Sequence, residues 1–238
     1  MRTSLGSYLQ EQEQALFDAA VANIFGFNAV QLGMLDVDFL RSSRMPFSLK
    51  AGAKQGDVNC QSTQLPFLTS SIDLLLLPHV LEFSDDPHQT LRDAERILVP
   101  EGHIVISGFN PLSAWGLKRL SAKSKGYPWQ GEFFSLPRIK DWLALLDFEI
   151  VSVKMDCYAL PFSNPSWLKR CDFMNKTGKS WWSMMGGIYF IVAKKRVLGM
   201  RVIRPEWKKN PLKSLVTAPT QRQPSQQNQH HQKNIKSE

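Results

Sequence analysis

Residues 65–110 constrain this chain more than any other stretch. Residues 72–77, Ile-Asp-Leu-Leu-Leu-Leu, form an apolar run of strand length, the pattern of a central parallel strand buried on both faces. Asp86 supplies a helix N-cap, Pro87 the first helical position, and Gln89 completes a capping box. Leu91, Ala94, Ile97 and Leu98 then share one apolar face at helical spacing. Pro100, Glu101 and Gly102 read as a turn, and residues 103–109 as the next strand. Two strands with a helix between them predict a right-handed crossover in a parallel sheet, so the chain belongs among α/β folds.

The flanks extend this frame. Leu5, Tyr8, Leu9, Leu16, Ala19, Ala20 and Ile24 have helical spacing, and Gly26 is a plausible stop. Residues 28–33 read as a short strand ending in Gly33. Residues 34–59 read as irregular, with a short strand near 46–50. A long connection over residues 110–134 precedes a helix opened by Ser135, with Ile139, Trp142, Leu143 and Leu146 inward. Residues 148–155 and 188–194 read as strands. Between them, residues 156–187 form an insertion carrying Trp167, Trp181, Trp182 and several lysines. The organisation expected is an N-terminal helix (1–26) packed on a domain of residues 27–200, followed by a disordered basic tail over 205–238, rich in Gln, Asn, Pro and Lys.

Composition narrows the function classes. A chain of 238 residues with 43% hydrophobic content suits one α/β domain with extensions. No apolar run reaches the ~18 residues of a membrane span, and the first residues lack an apolar signal core, so a cytoplasmic protein is expected. Cys60, Cys157 and Cys171 have neither metal spacing nor a disulfide framework; free thiols in a reducing compartment are the simplest reading. The net charge of +8 gathers largely from Lys194 onward. Nucleic acid is one partner for such a tail; a solvated tail that touches nothing specific is the other reading.

Four pieces then occur in a familiar order and spacing: Leu65-Pro66-Phe67, Ser71-Ile72-Asp73, the run from Arg96-Ile97-Leu98 to Pro100-Glu101-Gly102, and the strand that follows. Together they resemble class I S-adenosylmethionine (SAM)-dependent methyltransferases, specifically the type 11-like methyltransferase domain. Gly108-Phe109-Asn110-Pro111 is similar to a bacterial branch of that family. The resemblance implies a Rossmann-like, three-layer αβα sandwich whose mostly parallel sheet ends in an antiparallel strand. It implies SAM as cofactor and methyl transfer to an acceptor, expected to be a small molecule. The N-terminal half must be abbreviated, because residues 33–65 leave no room for two full crossovers of at least ~10–12 residues each plus two strands.

The same resemblance places a site beyond the carboxyl ends of the strands. Gly33 is what remains of the family's glycine-rich loop, Gln31 stands where the family has an acid, and no acid appears near residues 47–50. Gln61 takes the place of the adenine-side acid, and with Gly33, Ser62, Pro78 and His79 makes the expected cofactor set. His79, after the carboxyl end of the first predicted core strand, is the candidate catalytic residue. A histidine titrating near neutral pH is a suitable base, and its other reading is a hydrogen bond that fixes the loop. Asn110, Ser113 and Trp115 are the candidate substrate-binding residues. No metal constellation is expected. Two further readings stay open: a binding protein on a decayed scaffold, with Met34 or Leu35 filling the adenosyl space, and a nucleic-acid-associated protein using the tail and the insertion.

Overall fold

A computed structural model of the chain describes residues 4–121, 129–158 and 186–196. Trp167, Trp181, Trp182 and the 205–238 tail, with the disorder and nucleic-acid roles expected of them, lie outside the described residues. The N-terminal helix α1 (Ser4–Val21) leads to strand β1 (Asn28–Leu32), then β2 (Phe47–Gly52) and a two-residue strand β3 (Val58–Asn59). β4 (Ile72–Pro78), helix α2 (Pro87–Ile97) and β5 (Leu98–Phe109) form the predicted βαβ unit. Helices α3 (Ala114–Ser121) and α4 (Leu136–Leu145) precede β6 (Phe148–Asp156) and β7 (Ile188–Lys195). The seven strands lie in the order β3-β2-β1-β4-β5-β7-β6. All pairings from β3 to β5 are parallel, and β7 runs antiparallel to both β5 and β6. This is the Rossmann-like methyltransferase sheet that the family resemblance implied.

Sequence explains the central unit closely. Every residue of β4 is buried except Asp73, which is half-buried. That carboxylate accepts the backbone N–H groups of Phe27 and Asn28, both at 3.0 Å, and so pins the start of β1 beside β4. At α2, Asp86 accepts the backbone N–H of Gln89 at 2.9 Å, satisfying a donor that the first turn leaves free. The expected turn at Pro100–Gly102 is absorbed into β5 as a bulge. Ile72 pairs with Leu98 and Leu74 with His103, and Glu101 takes a positive φ of 66°.

The Leu-Pro-Phe segment has a physical role. Arg96 donates to the carbonyls of Leu65 and Phe67, each at 2.9 Å, while Asp93 accepts both the Leu65 N–H and, at 2.7 Å, the Arg96 Nε–H. One guanidinium thus clamps the entry to β4 onto α2. Arg96→Leu is expected to destabilise the protein by about 2–4 kcal/mol: three charged hydrogen bonds are lost, each worth at most ~1.5–3 kcal/mol, and the partial exposure of the guanidinium and the packing of the leucine side chain offset part of that loss. Urea denaturation measures it, and a loss below about 0.5 kcal/mol, the scale of an ordinary surface substitution, would show that the clamp carries no stability.

The sheet is covered on both faces. Leu75, Leu77, Ile104 and Ile106 meet Leu91, Ile97, Ile139 and Leu143 of α2 and α4. On the opposite face, Leu74, Leu76, Val105 and Phe190 meet Phe17 and Val21 of α1 together with Phe39 and Leu40. The crossover from β1 to β2 contains no helix; its Val37, Phe39, Leu40 and Met45 are buried and fill the place a crossover helix would take. The abbreviated N-terminal half is therefore closed by α1 and an apolar loop. Among the described residues, no helix is long and apolar enough to cross a membrane.

Candidate active site

The carboxyl ends of β1, β2 and β4 lie side by side and open onto a cleft of about 370 Å³. Small-ligand sites span about 300–1,000 Å³. Leu32, Gly33 and Met34 form the wall under β1, Gly52 and Ala53 the end of β2, and Pro78, His79 and Val80 the end of β4. Cys60, Ser62 and Phe83 complete it. Gly33 sits at φ 79°, and a Cβ there would come within 3.0 Å of Val80 Cγ2. Both the left-handed backbone and the close approach require glycine. Burial, reinforced by the nearby Asp93 charge, pushes the Cys60 thiol up, so it faces the cleft in its neutral form.

The expected cofactor residues separate. Gly33, Ser62, Pro78 and His79 all line the cleft. Gln61 is exposed and pairs through its backbone with Gln64, outside the lining. Ser62 Oγ donates to Ser84 Oγ at 3.2 Å. Met34 forms part of the wall, while Leu35 packs against the end of β2, where a Cβ on Gly52 would lie 2.8 Å from its Cδ1.

Gln31 is fully buried and committed to its own loop. Its Nε2 donates to the carbonyls of Val37 at 2.9 Å and of Gly33 and Met34 at 3.2 Å, and its Oε1 accepts the Phe39 N–H at 3.0 Å. The position where the family has an acid is here an internal staple that shapes the 33–39 turn.

His79 lies at the centre of a buried charge cluster. The residue has a positive φ of 52°, a left-handed conformation that ends β4. Its Nε2 meets Glu13 Oε1 at 2.6 Å and its Nδ1 meets Glu82 Oε1 at 3.2 Å; all three side chains are at most 1% exposed. Two carboxylates accept at both ring nitrogens, so both must carry protons. Burial alone would pull the imidazole's pKa down; the charges of Glu13 and Glu82 outweigh it and push it up to about 10. An imidazolium has no lone pair to take a proton, so the expectation of His79 as a general base is replaced by that of a fixed cation. The Phe109 ring stacks on it at 4.1 Å, and the Phe109 N–H donates to Glu82 Oε1 at 2.6 Å.

Glu13 was not legible as a site residue, although its signal was present. Leu9, Glu13, Phe17 and Val21 recur every four residues on the buried face of α1, and a glutamate on such a stripe requires a partner. The expected substrate residues are spent on local structure. Asn110 donates to the Gly186 carbonyl at 3.0 Å and accepts the Leu112 N–H at 3.1 Å. Ser113 Oγ accepts the N–H groups of Trp115 and Gly116 at the start of α3. Trp115 is buried against Phe109 and Trp129. No group of three or more potential metal ligands occurs among the described residues.

This sheet order, with a cleft at its carboxyl ends, defines the class I methyltransferase type. Residues 36–106 match the family described as a methyltransferase domain. The chain belongs to this methyltransferase-domain family, and it is similar to the uncharacterized protein YafS of Escherichia coli (strain K12). The two are 32% identical over 204 residues, covering 84% of this chain and 78% of YafS. In fold the chain is similar to a SAM-dependent methyltransferase from Archaeoglobus fulgidus, with TM-score 0.55 and 17% identity over 78% of this chain and 94% of that one. It is also similar to the [4+2]-cyclase SpnF, with TM-score 0.54 and 14% identity over 78% of this chain and 80% of that one.

Proposed function

We propose that the protein is an enzyme that transfers a methyl group from SAM to a small-molecule acceptor. The observation that carries this reading is the cleft of about 370 Å³ at the ends of β1, β2 and β4, entered by the left-handed Gly33, in a chain of the methyltransferase family. The residues fit SAM in volume and in wall chemistry. Leu32, Met34, Val80 and Phe83 offer apolar surface to an adenosyl and thioether body, Gly33 lets the backbone approach, and Ser62 offers a hydroxyl. When bound, SAM supplies an already activated methyl group. The protein's part is to orient the acceptor and exclude water, and the buried ends of β4 and β5 with α1 above them suit that role.

None of the residues lining the cleft is an aspartate or glutamate. Each missing charged hydrogen bond forgoes about 1.5–3 kcal/mol, roughly 10–150-fold in affinity. Calorimetry is expected to show SAM and S-adenosylhomocysteine binding with dissociation constants in the high micromolar range or weaker. Ala53→Trp, at the exposed end of β2, is expected to abolish that binding while the melting temperature stays unchanged. No binding at millimolar ligand would sink the reading, as would binding that the tryptophan leaves intact.

A further inference from the structure

Of the described residues that line the cleft, Ser62 alone carries a side-chain oxygen. His79 has both ring nitrogens engaged by Glu13 and Glu82, and Gln61 lies outside the lining. What Ser62 offers a ligand depends on where its own proton points, and a chain of hydroxyls decides that direction. Ser62 Oγ lies 3.2 Å from Ser84 Oγ, Ser84 Oγ lies 2.8 Å from Thr90 Oγ1, and Thr90 Oγ1 lies 3.1 Å from the Asp86 carbonyl oxygen. A carbonyl oxygen can only accept, so the Thr90 hydroxyl spends its proton on Asp86. Ser84 must then donate to Thr90, and Ser62 must donate to Ser84. The far end of the chain is held firmly. Thr90 is fully buried in the first turn of α2, and Asp86 is the N-cap that accepts the Gln89 N–H.

We propose that this chain of hydroxyls makes Ser62 a fixed acceptor in the cleft, and that it selects a nucleobase carrying an exocyclic amino group over one carrying a carbonyl at the same position. The proposal rests on the SAM reading for the identity of the ligand; the direction of the Ser62 hydroxyl rests on the hydrogen bonds alone. With its proton committed to Ser84, Ser62 Oγ has only lone pairs left for a ligand. An amino N–H meets a lone pair, whereas a carbonyl oxygen would set two acceptors against each other. Phe83, which precedes Ser84 in the chain, lines the same cleft and offers a ring face to the flat base. A neutral hydroxyl beside an aromatic ring suits an uncharged amino group. A charged ammonium would call for a carboxylate, and the lining has none. Ser84 and Thr90 lie outside the lining and act through Ser62, so they are positioning residues.

The test measures the affinity of the full chain for S-adenosylhomocysteine and S-inosylhomocysteine by calorimetry, and for adenosine and inosine by ligand-observed NMR. Each pair differs by an amino group against a carbonyl on the base. The wild type is expected to bind the adenine member about tenfold more tightly in both pairs. Thr90→Val nearly keeps the side chain's shape but removes the hydroxyl that fixes the direction, so Ser84 and Ser62 can turn their protons toward the cleft. The preference is expected to shrink to about twofold or less. Thr90→Ser keeps the hydroxyl and is expected to keep the full preference, which separates the direction of the chain from the packing of α2. Ser62→Ala, at a half-buried position, is expected to lose the preference as well and guards against a valine variant that fails to fold. Equal affinity within the pairs, a preference for the inosine member, or a Thr90→Val or Ser62→Ala protein that keeps the wild-type preference overturns the inference; where S-adenosylhomocysteine still binds, the methyltransferase reading stands. A tenfold preference for adenosine that Thr90→Val removes, with S-adenosylhomocysteine bound no more tightly than adenosine, supports the inference and removes the methyltransferase reading. Binding of none of the four compounds at millimolar concentration overturns both.

Discussion

His79→Asn is expected to cost about 3–5 kcal/mol of folding stability near neutral pH, the range for removing one partner of a buried ion pair. Asparagine accepts the positive φ of 52° found at this position, so backbone strain does not enter the comparison. What is lost is the cation between Glu13 and Glu82, leaving two buried carboxylates with no charge to compensate them. In a chain of this size the melting temperature should fall by on the order of 10 °C. The pH profile isolates the charge. The imidazole's pKa rises from 6.5 to about 10 on folding, so its stabilisation is fully present below 6.5 and fades as pH climbs through about 10. The gap between wild type and His79→Asn should therefore be wider at pH 7 than at pH 10 in urea titrations. A gap that does not change with pH would show that His79 stabilises by packing alone. Glu13→Gln should cost less than His79→Asn, because Glu82 still holds the cation.

The second large effect runs against what the sequence alone would recommend. Gln31 stands where the family has an acid, and Gln31→Glu looks like a repair. The surroundings reverse that expectation. Three carbonyl oxygens, of Gly33, Met34 and Val37, already point at the amide nitrogen. A carboxylate there would face acceptors on one side and keep only the Phe39 N–H on the other. The substitution is expected to cost about 3–5 kcal/mol, as for any uncompensated buried charge, and to weaken cofactor binding by loosening the 33–39 turn. Gln31→Leu leaves the Val37 carbonyl and the Phe39 N–H unpaired at ~1–3 kcal/mol each but buries no charge, so it should be the milder change. Stability that recovers on acidification would identify the carboxylate as the cause. A Gln31→Glu protein as stable as wild type with tighter SAM binding would show that the loop rearranges to present the acid to the ligand.

These contrasts mark where the fold could be read from residues and where it could not. The βαβ unit was legible because its signals are local. An apolar run of strand length, an Asp-Pro cap and the pieces Leu65-Pro66-Phe67 and 96–102 lie within about one supersecondary unit of each other. The late strands were legible for the same reason, and their burial patterns differ as their places in the sheet require: β7 is buried along most of its length, while β6 is half-open at the edge. β3 escaped notice because two residues carry no periodicity. α3 escaped because its polar sequence resembles the connection around it. The site was harder still. Gln31 reads as a missing acid until its four backbone partners are seen. Glu13 reads as one charge among several in Gln10–Gln14 until α1 turns it inward. Asn110, Ser113 and Trp115 carry the residue types of a binding loop, and the structure spends those same groups on capping and packing. Polar side chains declare their role through partners, and those partners are distant in sequence.

Distance in sequence also orders events in time. Glu13 and His79 are separated by 66 residues, so the residues of α1 are synthesised several seconds before the strand that supplies the counter-charge. Until β4 is made, the glutamate on the apolar stripe has no counter-charge, and burying it unpaired is costly. Once His79 appears, the same residue becomes the fastening of the finished domain. One side chain thus serves first as a deterrent to wrong association and then as the seal that completes the right one.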